Sequence, residues 1–142
     1  MTESELQVAV ADYLRLRYPN VLFHSDFGSG IKLTKGQAIK QKRQNGGRRG
    51  WPDMFIAEPR GYLGELMPDS MAGQMECAGL FLELKKEGTR IYKKDGTPAS
   101  DHIAEQLEVL NSLKDRGYAG TIVAGFNEAK YVLDEYLGGG DA

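Results

Sequence analysis

An aspartate, a glutamate and a lysine occupy positions from which they could act together on a phosphate group. Asp53 directly precedes a short apolar segment at 54–57, and Glu83 and Lys85 lie in an alternating segment at 80–85. Because successive side chains of a strand point to opposite faces, Glu83 and Lys85 should share one face, roughly 6–7 Å apart. Asp53 joins Glu83 if the two segments pair as neighbouring strands.

Two carboxylates and one backbone carbonyl would form an all-oxygen site of the kind that Mg²⁺ prefers. We expect Asp53, Glu83 and the backbone carbonyl of Leu84 to bind Mg²⁺ or Mn²⁺. The metal would lower the pKa of a bound water, and Lys85 would orient that water or stabilise charge developing on a phosphate. These groups suit phosphodiester hydrolysis. The alternative is a surface hairpin in which Glu83 and Lys85 face solvent as an ordinary ion pair.

Charge is distributed unevenly along the chain, although its net value is only −2. Residues 27–52 contain seven basic residues and no acidic one, and the rest of the chain has eleven basic and twenty acidic residues. A second basic group lies at 85–94 and is interrupted only by Glu87. Such concentration indicates a phosphate-binding surface, with a solvated loop and helix face as the alternative. The candidate nucleic-acid-binding residues are Lys32, Lys35, Lys40, Lys42, Arg43, Arg48 and Arg49.

Length and composition limit the class of protein. A chain of 142 residues with 41% hydrophobic and 27% charged residues indicates one soluble domain with its own core. No apolar run is long enough to span a bilayer, and the first residues do not resemble a signal peptide. A single cysteine excludes a disulfide framework. We therefore expect a cytoplasmic protein that needs neither a membrane nor a small-molecule cofactor.

Hydrophobic periodicity predicts helices and strands in the order α–β–(α)–β–β–α–β–α. A further short strand at 90–92 would precede the Asp95-Gly96 turn. This order, with apolar late strands, indicates an α/β fold in which a mixed sheet carries helices on its faces. The predicted helices are 3–18, 34–43, 100–116 and 127–137, and the predicted strands are 21–24, 54–57, 80–85 and 121–124.

The predicted domain covers residues 1–138, followed by a frayed tail at 139–142. The connection at 58–78 is rich in Gly, Pro and Met and lacks periodicity. It is long for the link between two core strands, so we interpret it as a tolerated insertion, with a functional flap as the alternative.

The combination of these motifs resembles the PD-(D/E)xK nuclease superfamily. It consists of the run Arg-Gly-Trp-Pro-Asp at 49–53, Glu-Leu-Lys at 83–85, and Gln106 in the following helix. Within the superfamily, the order of motifs is similar to that of the VRR-NUC family over about 3–137. That family includes small stand-alone phage and bacterial proteins and the nuclease domain of Fanconi-associated nuclease. The resemblance implies a restriction-endonuclease-like core with a central mixed β-sheet flanked by helices.

The resemblance also implies individual roles in the site. Asp53 and Glu83 would bind the metal, and Lys85 would be the catalytic lysine. Gln106 would support the site from its helix; the alternative is an exposed polar residue beside Leu107.

The family further places a glutamate of the first helix near the metal, often through a water. Glu3 and Glu5 both qualify. We slightly prefer Glu3, because Glu5 is already explained by a capping box with Thr2.

The function implied by the resemblance is that of a Mg²⁺- or Mn²⁺-dependent DNA endonuclease similar to Holliday-junction resolvases. It would act on branched DNA in a bacterial or phage-infected cell. It would be a homodimer, because two active sites are needed to cut a four-way junction symmetrically. The alternatives are a non-catalytic nucleic-acid-binding module that uses the basic 32–49 segment, and an enzyme that acts on RNA or flaps. No base-reading motif is visible, so we expect recognition of shape or backbone.

Four other residues of reactive or aromatic type are expected to be structural. We expect His102 to lie at the surface and Trp51 to pack beside the site. The full set is His24, Trp51, Cys77 and His102.

Overall fold

The computed structural model describes residues 1–26, 33–60 and 77–138. Its helices and strands follow the predicted order, with ends that differ by a few residues. The predicted strand at 90–92 does not form. Tyr92 instead makes an isolated antiparallel bridge to Pro98. The elements are α1 (Glu3–Arg17), β1 (Phe23–Ser25), α2 (Lys35–Gln44), β2 (Met54–Ile56), β3 (Leu80–Lys85), α3 (Asp101–Lys114), β4 (Ala119–Ala124) and α4 (Phe126–Leu137).

The four strands form one mixed sheet in the order β1-β2-β3-β4. The pairs β1–β2 and β2–β3 are antiparallel, whereas β3 and β4 are parallel and are connected through α3. Met54 lies opposite Ser25 on one side and Leu82 on the other. Continued by one residue, this register places Asp53 beside Glu83.

Strand β3 is buried on both faces, and the two faces differ in chemistry. Leu80, Leu82 and Leu84 belong to the apolar core that includes the buried residues of α1 and α4. The other face carries Phe81, Glu83 and Lys85 and lies toward α3. Glu83 and Lys85 are only 4% and 6% exposed, so the alternative of a solvent-facing hairpin is wrong.

Helix α3 buries a polar residue within its apolar stripe. Gln106 and Val109 are buried, whereas Leu107 is only half-buried. Gln106 occupies this apolar stripe because its amide bonds to Glu83 of the sheet.

Helices α1 and α4 are joined by a pair of tyrosine hydroxyls. Tyr13 and Tyr18 both donate to Oδ1 of Asp134, at 2.5 and 2.6 Å. Burial raises the pKa of Tyr18, and its hydrogen bond to the Asp134 carboxylate adds to the effect. These contacts fix the direction of α1 and hence the position of its first turn.

The ends of the predicted 58–78 insertion meet each other. Arg60 and Cys77 form an antiparallel bridge with hydrogen bonds in both directions. Residues 61–76, on which the choice between insertion and flap depends, and the predicted tail at 139–142 lie outside the described residues. None of the helices within the described ranges is long and apolar enough to cross a membrane.

Candidate active site

Asp53 and Glu83 are neighbouring buried carboxylates where β2 begins. Asp53 is 8% exposed and Glu83 is 4% exposed. Oδ2 of Asp53 accepts a hydrogen bond of 2.8 Å from the backbone N–H of Leu84. The aspartate is therefore attached to the backbone of the strand that carries the glutamate.

Glu83 has one satisfied oxygen and one free oxygen. Its Oε1 accepts a hydrogen bond from Nε2 of Gln106 and lies 3.8 Å from Nζ of Lys85. Its Oε2 is buried and has no hydrogen-bond partner within the described part of the chain. Burial, together with the negative charge of Asp53, raises the pKa of Glu83 to about 9, although Lys85 opposes this shift. A cation bound to Oε2 would favour the ionised form.

The donor set fits a small divalent cation. Unpaired buried carboxylate oxygens are costly unless a hydrogen bond or a metal satisfies them, and Oε2 of Glu83 is such an atom. The described residues contain no cluster of three His, Cys, Asp or Glu side chains that could hold a metal. Asp53 and Glu83 would provide two side-chain ligands, which would suit Mg²⁺ because this ion usually keeps several waters.

The Leu84 carbonyl points to the side of the strand that this site requires. The carbonyl of Lys85 accepts from the N–H of Gly125, next to β4. Backbone groups of successive strand residues point to opposite edges, so Leu84 directs its N–H and C=O toward Asp53. Its N–H does bond to Asp53. The Leu84 carbonyl thus faces the same edge of β3 as Asp53.

The loop that carries Asp53 requires a glycine. Gly50 has φ of +84°, and a Cβ at this position would lie 3.0 Å from the backbone carbonyl of Glu105 in α3. Only glycine has easy access to this conformation and to such a close approach. The loop is therefore packed against the same turn of α3 that presents Gln106 to the site.

The two candidate glutamates of α1 lie in different environments. Glu5 forms the predicted capping box with Thr2, in which each residue bonds to the backbone N–H of the other. Glu3 instead lines the cleft that contains Asp53 and Glu83. The structure thus brings Glu3, rather than Glu5, toward the carboxylate pair.

The floor of a cleft with a volume of about 680 Å³ is formed by Asp53, Glu83, Lys85 and Gln106. The floor consists of buried side chains, and much of the rim is exposed and basic. Trp51 also lines the cleft, and its 41% exposure departs from the expected packing role. The residues that line the cleft are Glu3, Asp26, Lys35, Ala38, Ile39, Gln41, Lys42, Asn45, Arg48, Arg49, Gly50, Trp51, Asp53, Glu83, Lys85, His102 and Gln106.

The cleft contains only part of the predicted nucleic-acid-binding set. Lys40 and Arg43 are exposed but do not line it, and Lys32 lies outside the described residues. Arg48 lines it and also pairs with Glu108 at 3.7 Å. Helix α2 buries none of its residues, so its cations remain accessible. Those that line the cleft are Lys35, Lys42, Arg48 and Arg49.

Three residues of the site were not assigned from the sequence. Asp26 lines the cleft, and its N–H donates to the carbonyl of Asp53 at 2.7 Å. Gln7 of α1 is buried and donates to the carbonyl of Asp26 at 2.8 Å. His102 is exposed as expected, but it also lines the cleft and lies 3.3 Å from Nε2 of Gln106. Asp26 directly follows β1 in the structure, but the predicted strand ends at residue 24, so no sequence pattern singled it out.

A solved structure described as a "VRR_NUC domain protein" is similar to this chain over almost its whole length. The similarity covers 99% of this chain and 92% of the other, with a TM-score of 0.60 and 23% sequence identity. No protein-family model matches the chain, and no curated protein is significantly similar to it. The chain has the predicted α/β restriction-endonuclease-like fold. The VRR-NUC resemblance is thereby confirmed at the level of the fold.

Proposed function

We propose that this chain is a Mg²⁺- or Mn²⁺-dependent endonuclease of the VRR-NUC type that hydrolyses phosphodiester bonds in DNA. The observation that carries the proposal is the grouping of Asp53, Glu83 and Lys85 on the floor of a cleft with a basic rim. Two adjacent carboxylates alone would repel a phosphate. A divalent cation between them would remove this repulsion, and the rim would bind the neighbouring phosphates.

Each residue of the floor has a distinct task in this reaction. Asp53, Glu83 and the carbonyl of Leu84 would hold the metal. When bound, the metal supplies an acidified water and neutralises charge on the phosphate. Lys85, held 3.8 Å from Oε1 of Glu83, orients the attacking water and stabilises charge that develops on the phosphate. Gln106 positions Glu83 by donating to Oε1, which leaves Oε2 without a hydrogen bond, so that it could hold the cation.

Glu3 and the basic rim would act on the surroundings of the reaction. Glu3 lines the cleft from the first turn of α1 and can accept a hydrogen bond from a water near the metal. Lys35, Lys42 and Arg49 are exposed on the rim and would contact the DNA backbone. Backbone contacts position a substrate without reading its sequence, which suits an enzyme that selects DNA by shape.

The substrate that we propose is branched DNA such as a Holliday junction. Symmetric cutting of a four-way junction needs two active sites related by a twofold axis, so we infer a homodimer. The protein would act in the cytoplasm of a bacterial or phage-infected cell, without a membrane or a small-molecule cofactor.

The test compares matched variants on labelled four-way-junction, flap and linear duplex DNA and on RNA, with Mg²⁺, Mn²⁺ or EDTA. Asp53→Asn keeps an oxygen that can accept from the N–H of Leu84, and Lys85→Met keeps the buried aliphatic chain. Asp12→Asn and Lys130→Met are controls on exposed helix surfaces. We expect the two site variants to lose about 10²–10³ in rate or more, with unchanged thermal stability or a small loss.

The outcomes separate the candidate functions. Cleavage that requires metal, Asp53 and Lys85 supports the nuclease, and the preferred substrate distinguishes a junction enzyme from a flap or RNA enzyme. Undiminished cleavage by folded Asp53→Asn and Lys85→Met proteins would refute the proposed site. Salt-sensitive binding without scission on every substrate would instead favour the non-catalytic binding module.

A further inference from the structure

The connection between β3 and α3, residues 86–100, forms a hydrogen-bonded hairpin that the proposed mechanism does not use. Its two sides are joined by hydrogen bonds from the N–H of Lys93 to the carbonyl of Thr97 and from the N–H of Ala99 to the carbonyl of Ile91. The lengths of these bonds are 2.7 and 2.8 Å. The side chain of Asp95 accepts from the N–H and the hydroxyl of Thr97 within the turn. The hairpin therefore has a defined backbone conformation.

The hairpin carries an accessible basic surface. It contains four basic and two acidic residues, and all four basic side chains are exposed. Within the described residues, no carboxylate forms an ion pair with any of these four cations. One of the two acidic residues, Asp95, is engaged by the turn itself. The four cations are Lys86, Arg90, Lys93 and Lys94.

The hairpin is attached to the active-site cleft at both of its ends. It follows Lys85, which lies on the floor of the cleft, and it is followed closely by His102, which lines the same cleft. Lys93 follows Lys85 by eight positions, so the two residues lie at most about 26 Å apart, the length of a fully extended chain. That limit corresponds to about eight base pairs of duplex at 3.4 Å each. A duplex of about 20 base pairs is therefore long enough to contact the cleft and the hairpin at the same time.

We propose that the hairpin is a second binding site for the DNA backbone, separate from the cations of α2 and the 48–49 segment. Arg90, Lys93 and Lys94 contact phosphates of the duplex that extends from the cleft. The exposed hydroxyl-bearing side chain of Tyr92 lies among them and can also donate to a phosphate. The identification of the ligand as DNA rests on the proposed function.

The experiment measures how DNA binding depends on salt for two triple variants with the same change in net charge. The test variant is Arg90→Gln, Lys93→Gln and Lys94→Gln. The control variant carries Arg15→Gln, Arg116→Gln and Lys130→Gln, which are exposed and do not line the cleft. Binding of a duplex of about 20 base pairs is measured in EDTA over a range of salt concentrations. This arrangement tests the hairpin even if the protein cuts no DNA.

Each lost phosphate contact should lower the salt slope, −dlogK/dlog[salt], by about 0.9. We expect the test variant to lose about 2–3 in slope and on the order of 10²-fold in affinity at 0.1 M salt. The control variant should stay close to the parent. In Mg²⁺, the test variant should raise KM and leave kcat at saturating DNA within about twofold, since the cleft is unchanged.

Equal slopes for the test and control variants would overturn the proposal, because the effect would then reflect net charge alone. The single variant Lys94→Gln is a second test, with an expected loss of about 0.9 in slope. A parent that binds DNA but does not cut it would refute the proposed nuclease, yet the comparison of slopes would still decide the role of the hairpin.

Discussion

The hydrogen bond from Gln106 to Glu83 makes a prediction that separates a positioning role from a packing role. Gln106 is 3% exposed, and its Nε2 donates to Oε1 of Glu83. Its own Oε1 has no partner within the described part of the chain. The amide is thus only half satisfied, which is expensive for a residue that served packing alone. Gln106→Met keeps the length of the side chain and removes both polar atoms.

The two expected effects of Gln106→Met differ in size. The metal-free protein loses the bond to Glu83 but also loses an unsatisfied buried oxygen, so its free energy of unfolding should change by only about 1 kcal/mol. In the metal-bound protein the carboxylate is ionised, and a hydrogen bond to a charged group is worth about 1.5–3 kcal/mol. Metal affinity should therefore fall about 10- to 100-fold, as is typical when a partner of a metal ligand is lost.

The assay is calorimetric titration of Mn²⁺ into parent and variant protein, together with urea unfolding in EDTA. Asn111→Leu, an exposed change on the same helix, is the control and should leave both quantities unchanged. If Gln106→Met binds Mn²⁺ as tightly as the parent while losing several kcal/mol of stability, then Gln106 is a packing residue. That result would refute the role assigned to its amide.

Of four further predictions from the structure, two concern proton binding by Glu83, one the backbone conformation of Gly50, and one the contact between α1 and α4. Because a metal must displace a proton from Glu83, the apparent Mg²⁺ affinity should rise by up to tenfold per pH unit below about pH 9. Titrations with Mg²⁺ from pH 6 to 9 measure this trend, and Glu83→Gln should abolish it. The folded state holds the proton of Glu83 more tightly than the unfolded state, so the free energy of unfolding of the metal-free parent should fall as pH rises between 4.5 and about 9. Urea unfolding at several pH values measures this free energy. Gly50→Ala should cost about 2–4 kcal/mol from a left-handed backbone and a close contact with Glu105, which chemical denaturation would detect. Asp134→Ala should lower the free energy of unfolding by about 2–4 kcal/mol, because the hydroxyls of Tyr13 and Tyr18 would lose their acceptor. The Mn²⁺ affinity should stay within about threefold, and unchanged stability would contradict the contact.

The residues on β3 and its neighbour could be placed from the sequence because strand geometry is strict. Alternation alone put Glu83 and Lys85 on one face, and the ion pair at 3.8 Å agrees with this. The position of Asp53 before β2 became informative once the two strands were assumed to pair. The antiparallel register then brings Asp53 beside Glu83 with no further assumption.

Burial of the polar face of β3 was less predictable, because it depends on packing between distant elements. A strand with leucines on one face and charged residues on the other is typical of a sheet with one solvated face. Here α3 covers the charged face as well, and it does so with Gln106, which is buried while its neighbour Leu107 is only half-buried.

The roles of Asp26 and Gln7 also could not be predicted from the sequence, because they depend on packing between distant elements. Neither residue belongs to a motif, and their contact joins α1 to the end of β1 across nineteen positions of sequence. That contact involves a side-chain amide and a backbone carbonyl, so the identity of residue 26 has no influence on it. The chain Gln7–Asp26–Asp53 nevertheless connects α1, β1 and β2 by hydrogen bonds of 2.8 and 2.7 Å. The first turn of α1, with Glu3, is therefore linked to the carboxylate pair through the side-chain amide of Gln7 and the backbone of Asp26, a connection that no residue pattern reveals.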